Sequence, residues 1–151
     1  MSDEVQTVDW RAAARGAALG AVIILSISAI GALIDRAMDD FDDSAWPVTL
    51  FLAILASYVI AGWWGGRAAG PRTPLITGAL AGLGAFAVWV PVRVLIWVAR
   101  DDSKGLFTGD DPVFTLGGVF ANLVFAAALG MVGGLLSARR ARGPVGDGTE
   151  G

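Results

Sequence analysis

Four uninterrupted apolar runs, separated by short polar stretches, set the architecture of this chain. The first, Ala17 to Ile34, holds about 18 residues and reaches roughly 27 Å as a helix, enough to cross the hydrocarbon of a bilayer. The pattern predicts an all-α membrane protein with four transmembrane helices over about 12–34, 47–66, 75–99 and 113–138. Proline suits the first position of a helix, where an N–H has no partner anyway. Pro47, Pro74 after Thr73, and Pro112 after Asp111 therefore mark three helix starts. The spans make one domain, residues 1–138, and leave 139–151 as a basic, then Gly/Pro-rich, disordered tail.

Composition agrees and removes most chemistry. Hydrophobic residues are 55% of the 151 and mean hydropathy is +0.64, above the roughly 45–50% apolar usage of soluble domains. With no cysteine the chain has no disulfide, zinc–thiolate site or thiol nucleophile, and with no histidine it lacks the usual acid/base group of neutral pH. A cleavable signal peptide would need a shorter apolar core, about 7–15 residues, behind a basic segment. Asp3, Glu4 and Asp9 precede the first run instead, so it is expected to stay as a helix.

Basic residues predict the orientation. Arg11, Arg15, Arg67, Arg72, Arg139, Arg140 and Arg142 flank one side of the spans, and Arg36, Arg100 and Lys104 the other, so both termini are expected in the cytoplasm. Trp10, Trp63 and Trp64 fall near the inner interface and Trp46 and Trp97 near the outer one, as amphipathic rings prefer. Trp89 lies deeper.

Small residues suggest how the helices meet. Gly62, Gly66 and Gly70 stand four apart, as do Gly78 and Gly82, which predicts a close seam across the turn between the second and third spans. The halves also look alike: Gly16-Ala-Ala-Leu-Gly20 resembles Gly78-Ala-Leu-Ala-Gly82, and Ala61-Gly62-Trp-Trp-Gly65-Gly66 resembles Leu129-Gly130-Met-Val-Gly133-Gly134. Two parallel-repeated hairpins, related by an axis along the membrane normal, would explain this. Gly62, Gly66, Gly78, Gly82, Gly130 and Gly134 are the expected packing positions.

Few residues could carry function. Arg93 lies inside the third span, where a charge is expensive and normally faces a partner or cavity, and Trp89 and Trp97 lie one turn to either side of it. This predicts Arg93 turned toward the bundle interior, its guanidinium held by the two indoles; the competing expectation is an interfacial arginine reaching headgroups or Asp101 and Asp102. Ser26, Ser28, Ser57, Tyr58 and Asn122 fall near mid-membrane, where they line a polar path or bond between helices. No Asp or Glu occurs in any span, so the carboxylate of a small four-span multidrug exchanger is missing. Fluoride channels, also short and four-span, usually lack the clear charge bias seen here. The loop aspartates (Asp35, Asp39, Asp40, Asp42, Asp43, Asp101, Asp102, Asp110 and Asp111) have no EF-hand spacing and read as solvated surface. No catalytic, cofactor or metal site and no nucleic-acid site is expected.

At Gly65-Gly66-Arg67-Ala68-Ala69-Gly70 and Thr77-Gly78-Ala79-Leu80-Ala81-Gly82, the chain resembles small four-span integral membrane proteins of bacteria, especially high-GC ones, a class with no established activity. The resemblance implies a bacterial plasma membrane. The function expected is a non-enzymatic structural or accessory component working through helix–helix contacts in the lipid bilayer, with itself or a larger membrane protein. The alternative is a small solute or ion pathway formed by an oligomer.

Overall fold

The computed structural model describes residues 8–41, 43–69, 73–100, 105–108 and 114–141. Among them every regular element is α-helical: α1 Trp10–Ala37, α2 Trp46–Ala69, α3 Pro74–Arg100 and α4 Leu116–Ala141. Each is long and apolar enough to cross a membrane, the pattern of a multi-pass membrane protein.

The helices run past the apolar stretches, because backbone bonding continues through the interface where side chains turn polar. Asp9 caps α1, its carboxylate accepting from the Ala12 N–H at 3.0 Å, so Arg11 and Arg15 lie on the first turns of the helix and Asp35 and Arg36 on its last. Arg139 and Arg140, expected in the tail, form the last turn of α4. Pro74 does open its helix behind Thr73. Pro47 is instead the second residue of α2, behind Trp46, whose N–H donates to Ser44 Oγ at 3.2 Å. The fourth helix begins at Leu116, with Thr115 Oγ1 accepting from the Gly118 N–H at 3.0 Å. Pro112 and Val113, the expected start, lie outside the described residues, as do Gly70, Arg72, the tail from Arg142, and Asp42, Asp101, Asp102, Asp110 and Asp111.

The pair α2 and α3 forms the middle of the bundle. Each touches the other and both outer helices, whereas α1 and α4 make no contact among the described residues. Neighbours in sequence are antiparallel, so α1 and α3 begin, and α2 and α4 finish, at one end of the bundle. That end, where Ala69 and Thr73 lie, is called the turn end; the opposite, loop end carries residues 38–41, 43–45, 105–108 and 114–115.

The bundle is tight at the turn end and loose at the loop end. Apart from Gly31 and Phe114, every buried described residue lies between the turn end and about the middle of its helix. The sequence explains the taper. Small residues fill the turn-end halves, as in Ala12-Ala-Ala-Arg-Gly16 and Thr77-Gly-Ala-Leu-Ala-Gly82, and let backbones approach. Bulky or branched residues, as in Val48-Thr-Leu-Phe-Leu52 and Val92-Arg-Val-Leu-Ile96, occupy the loop-end halves, where few residues are buried. Ile24, Tyr58, Ala61, Ala85, Phe86 and Ala126 form the core at the level where the two regimes meet. Above it, Phe86 stacks on Trp89 at 5.9 Å, and Trp89 meets Phe114 edge-on at 6.2 Å. Phe107 continues the chain of rings, 5.9 Å from Phe114.

Candidate functional site

The packing glycines converge on α4. A Cβ on Gly62 would collide with the Gly130 carbonyl, one on Gly78 with the same group, and one on Gly82 with the carbonyl of Ala126. A Cβ on Gly66 would begin 2.6 Å from Ser137 Oγ and 2.9 Å from Gly134 Cα, and one on Gly134 would collide with the Pro74 carbonyl. These residues sit at contacts where no side chain fits, because backbone atoms fill the space a Cβ would need.

Their partners differ from the expected ones. The Gly62/Gly66 and Gly78/Gly82 pairs do not face each other across the central hairpin: both face α4. Direct approach of α2 to α3 falls to Gly65, where a Cβ would lie 3.0 Å from Ala81 Cβ, and to Gly66, whose Cβ would also lie 3.3 Å from the Pro74 carbonyl. Gly65 shares neither register, which is why spacing alone did not single it out. Gly133 was missed likewise, and a Cβ there would collide with the Val59 carbonyl. On the other side Gly16 seats α1 in the groove between α2 and α3, 2.5 Å from Ala61 O and 2.8 Å from Ala81 Cβ when a Cβ is placed on it.

The polar residues do not gather into one path. Tyr58 is 1% exposed and belongs to the core, and Ser57 beside it is fully buried, its hydroxyl donating to Ile54 O at 2.5 Å. Ser26 is exposed on α1 and donates to Val22 O at 2.9 Å, and Ser28 is half-buried. Asn122 is half-buried, its amide donating to Gly118 O at 2.8 Å. The bonds of Ser26, Ser57 and Asn122 each return to their own helix, so these groups do not bond between helices as expected. Such internal bonds are the cheapest way to satisfy a polar side chain in hydrocarbon. No buried side-chain nitrogen or oxygen among the described residues lacks a partner.

Arg93 is on the outside of the bundle, which corrects its expected inward placement. Its guanidinium lies 5.8 Å from the centre of the Trp89 ring. From Ala87 to Val98 no residue of α3 is buried, so the face that packs closely at Gly82 and Ala85 is open at Arg93.

A small cleft of about 290 Å³ lies between the last turns of α2 and α4, lined by Trp63, Arg67, Ser137 and Arg140. Arg67 is held over the Trp63 ring at 5.5 Å, and Ser137 is buried, its hydroxyl donating to Gly134 O at 2.6 Å. The i, i+4 spacing of Trp63 and Arg67 was legible in the sequence, but their union with Ser137 and Arg140 was not. Among the described residues no group of three or more His, Cys, Asp or Glu is placed to hold a metal ion. The chain matches no protein-family model, no curated protein and no solved structure.

Proposed function

We propose that this protein is a non-enzymatic structural or accessory component of a bacterial plasma membrane, acting through helix–helix contacts, with both termini in the cytoplasm. The observation that carries this reading is the taper. From Leu116 to Phe125 no residue of α4 is buried, whereas Ala126, Gly130, Gly133, Gly134 and Ser137 all are. Leu116 is 91% exposed and Phe120 66%. Buried positions are thus concentrated toward the turn end, and the loop-end half of α4 leaves a length of exposed helix surface for another helix to cover. Lipid covers such a surface too, so the experiment must separate the two.

The two hairpins support a repeated unit. Gly16 meets α2 at Ala61 and Gly65, and Gly78 meets α4 at Gly130 and Gly134, so the matched glycines each pack on the second helix of their hairpin, at positions one residue apart in the matched segments. A two-fold along the membrane normal would match the α2–α3 contact with one between α4 and α1, which the bundle lacks among its described residues. We therefore read the repeat as one of internal hairpin packing, without two-fold placement of the halves.

A photo-crosslinking residue at Phe120 tests the proposal in living cells. It is expected to trap a discrete adduct, either a second copy or another membrane protein, while the same probe at Ile76, exposed at the turn end, traps none. Absence of any protein adduct at Phe120 would overturn the reading. So would solute flux into proteoliposomes that is abolished by Asn122→Ala, which would establish the oligomeric pathway instead.

A further inference from the structure

We propose that the cleft between the last turns of α2 and α4 binds a phosphate group, and that its natural occupant is the headgroup of an anionic phospholipid. Arg67 and Arg140 enter it from different helices, Trp63 forms one wall and Ser137 the floor. Stacking on Trp63 holds the Arg67 guanidinium in place, and its N–H edge remains available to a second partner. Neither arginine is ion-paired with a described carboxylate. The sole described acid at the turn end, Asp9, spends its Oδ1 on capping α1. Two arginine side chains lining one small space suit a phosphate, whose oxygens a planar guanidinium can bind in bidentate fashion. Ser137 contributes no donor, because its proton is committed to Gly134 O.

Position favours a lipid over a free ion. Basic pockets between membrane helices at a bilayer surface are the usual receptors of anionic headgroups. At about 290 Å³ the cleft is at the small end of ligand sites, which run from about 300 to 1,000 Å³, and so suits a headgroup whose chains remain in the bilayer. Helical spacing puts apolar surface directly beneath it. Ile60, one turn before Trp63, is 41% exposed, and Leu136, one turn before Arg140, is 47% exposed, offering acyl chains a track toward the membrane centre. Both helices end here, so their carbonyl poles repel an anion. Binding must then depend on the two arginines and not on backbone groups.

The test uses the full chain purified in a neutral detergent, with native mass spectrometry counting bound lipid. Phosphatidylglycerol should bind in preference to phosphatidylcholine, and Arg67→Gln and Arg140→Gln should each reduce its occupancy about fivefold. Arg139→Gln, on the same turn but outside the cleft, should leave occupancy unchanged. Arg67→Lys should give an intermediate loss, since it keeps the charge without the planar fork. Helical circular dichroism must match wild type in each variant. Equal binding of the two lipids, or equal loss from the Arg139 variant, overturns the site. A second arm adds inorganic phosphate: no displacement supports the lipid headgroup, whereas displacement at millimolar concentration overturns that assignment in favour of a free phosphate.

Discussion

Gly62 of α2 and Gly130 of α4 meet backbone to backbone, and Gly78 of α3 approaches the same Gly130 from the other side. One glycine of the last helix is therefore a point at which both central helices are joined. A methyl group at Gly62 or Gly130 has nowhere to go, since the opposing atoms belong to backbones and not to flexible side chains.

The expected consequence is position-dependent intolerance. Gly62→Ala and Gly130→Ala should each lower stability in detergent by about 1–3 kcal/mol, the range for overpacking a close contact. Gly117, also in α4, has nothing within 4 Å of an added Cβ, so Gly117→Ala should be neutral or stabilise by up to about 1 kcal/mol through helix propensity. Thermal melts of the three variants decide the matter. Equal tolerance would mean that the glycines reflect composition and not contact.

A second prediction separates core from lipid-facing surface. Ile24 is fully buried and Tyr58 is 1% exposed, so Ile24→Ala should destabilise by about 2–5 kcal/mol and Tyr58→Ala by about 3–5 kcal/mol. Leu52, 58% exposed, should tolerate Ala within about 0.5 kcal/mol. A melting temperature as low for the Leu52 variant as for the Ile24 variant would contradict the taper.

For Arg93 the exposed placement goes against the inward expectation and with the interfacial one. Arg93→Lys should be equivalent to wild type, and Arg93→Leu should change stability by no more than the roughly 0.5–1 kcal/mol of an exposed cation–π contact. Expression and detergent melting of both variants provide the check. A folding defect in Arg93→Leu would restore the inward, functional arginine.

Orientation is tested by labelling, which the absence of cysteine makes simple. Asp43, in the first loop, and Ala68, in the last turn of α2, are both exposed. With the basic turn end inside, Asp43→Cys should react with an impermeant maleimide in intact cells and Ala68→Cys only after permeabilisation. The opposite pattern would invert the protein in the membrane.

The sequence by itself determined that the chain makes four apolar helices, close to where each runs, and that the charge asymmetry favours one orientation. Those properties follow from short-range facts: apolar run length, proline at a helix start, and where arginine falls. It also marked Gly62, Gly66, Gly78, Gly82, Gly130 and Gly134, since small residues four apart lie on one helix face. Which face meets which was beyond it. Spacing is a property of a single helix, whereas the choice of α4 as partner for both Gly62 and Gly78 depends on how four helices fill a cross-section together. The same limit misplaced Arg93. Helical spacing puts Arg93 on one face with Trp89, Gly82 and Ala85, but whether that face still has a neighbour about one turn beyond Trp89 depends on how all four helices pack together, and from Ala87 to Val98 no residue of α3 is buried. The cleft of Trp63, Arg67, Ser137 and Arg140 likewise exists only after α2 and α4 have docked, because its two arginines are brought together from distant parts of the chain by glycines that lie elsewhere.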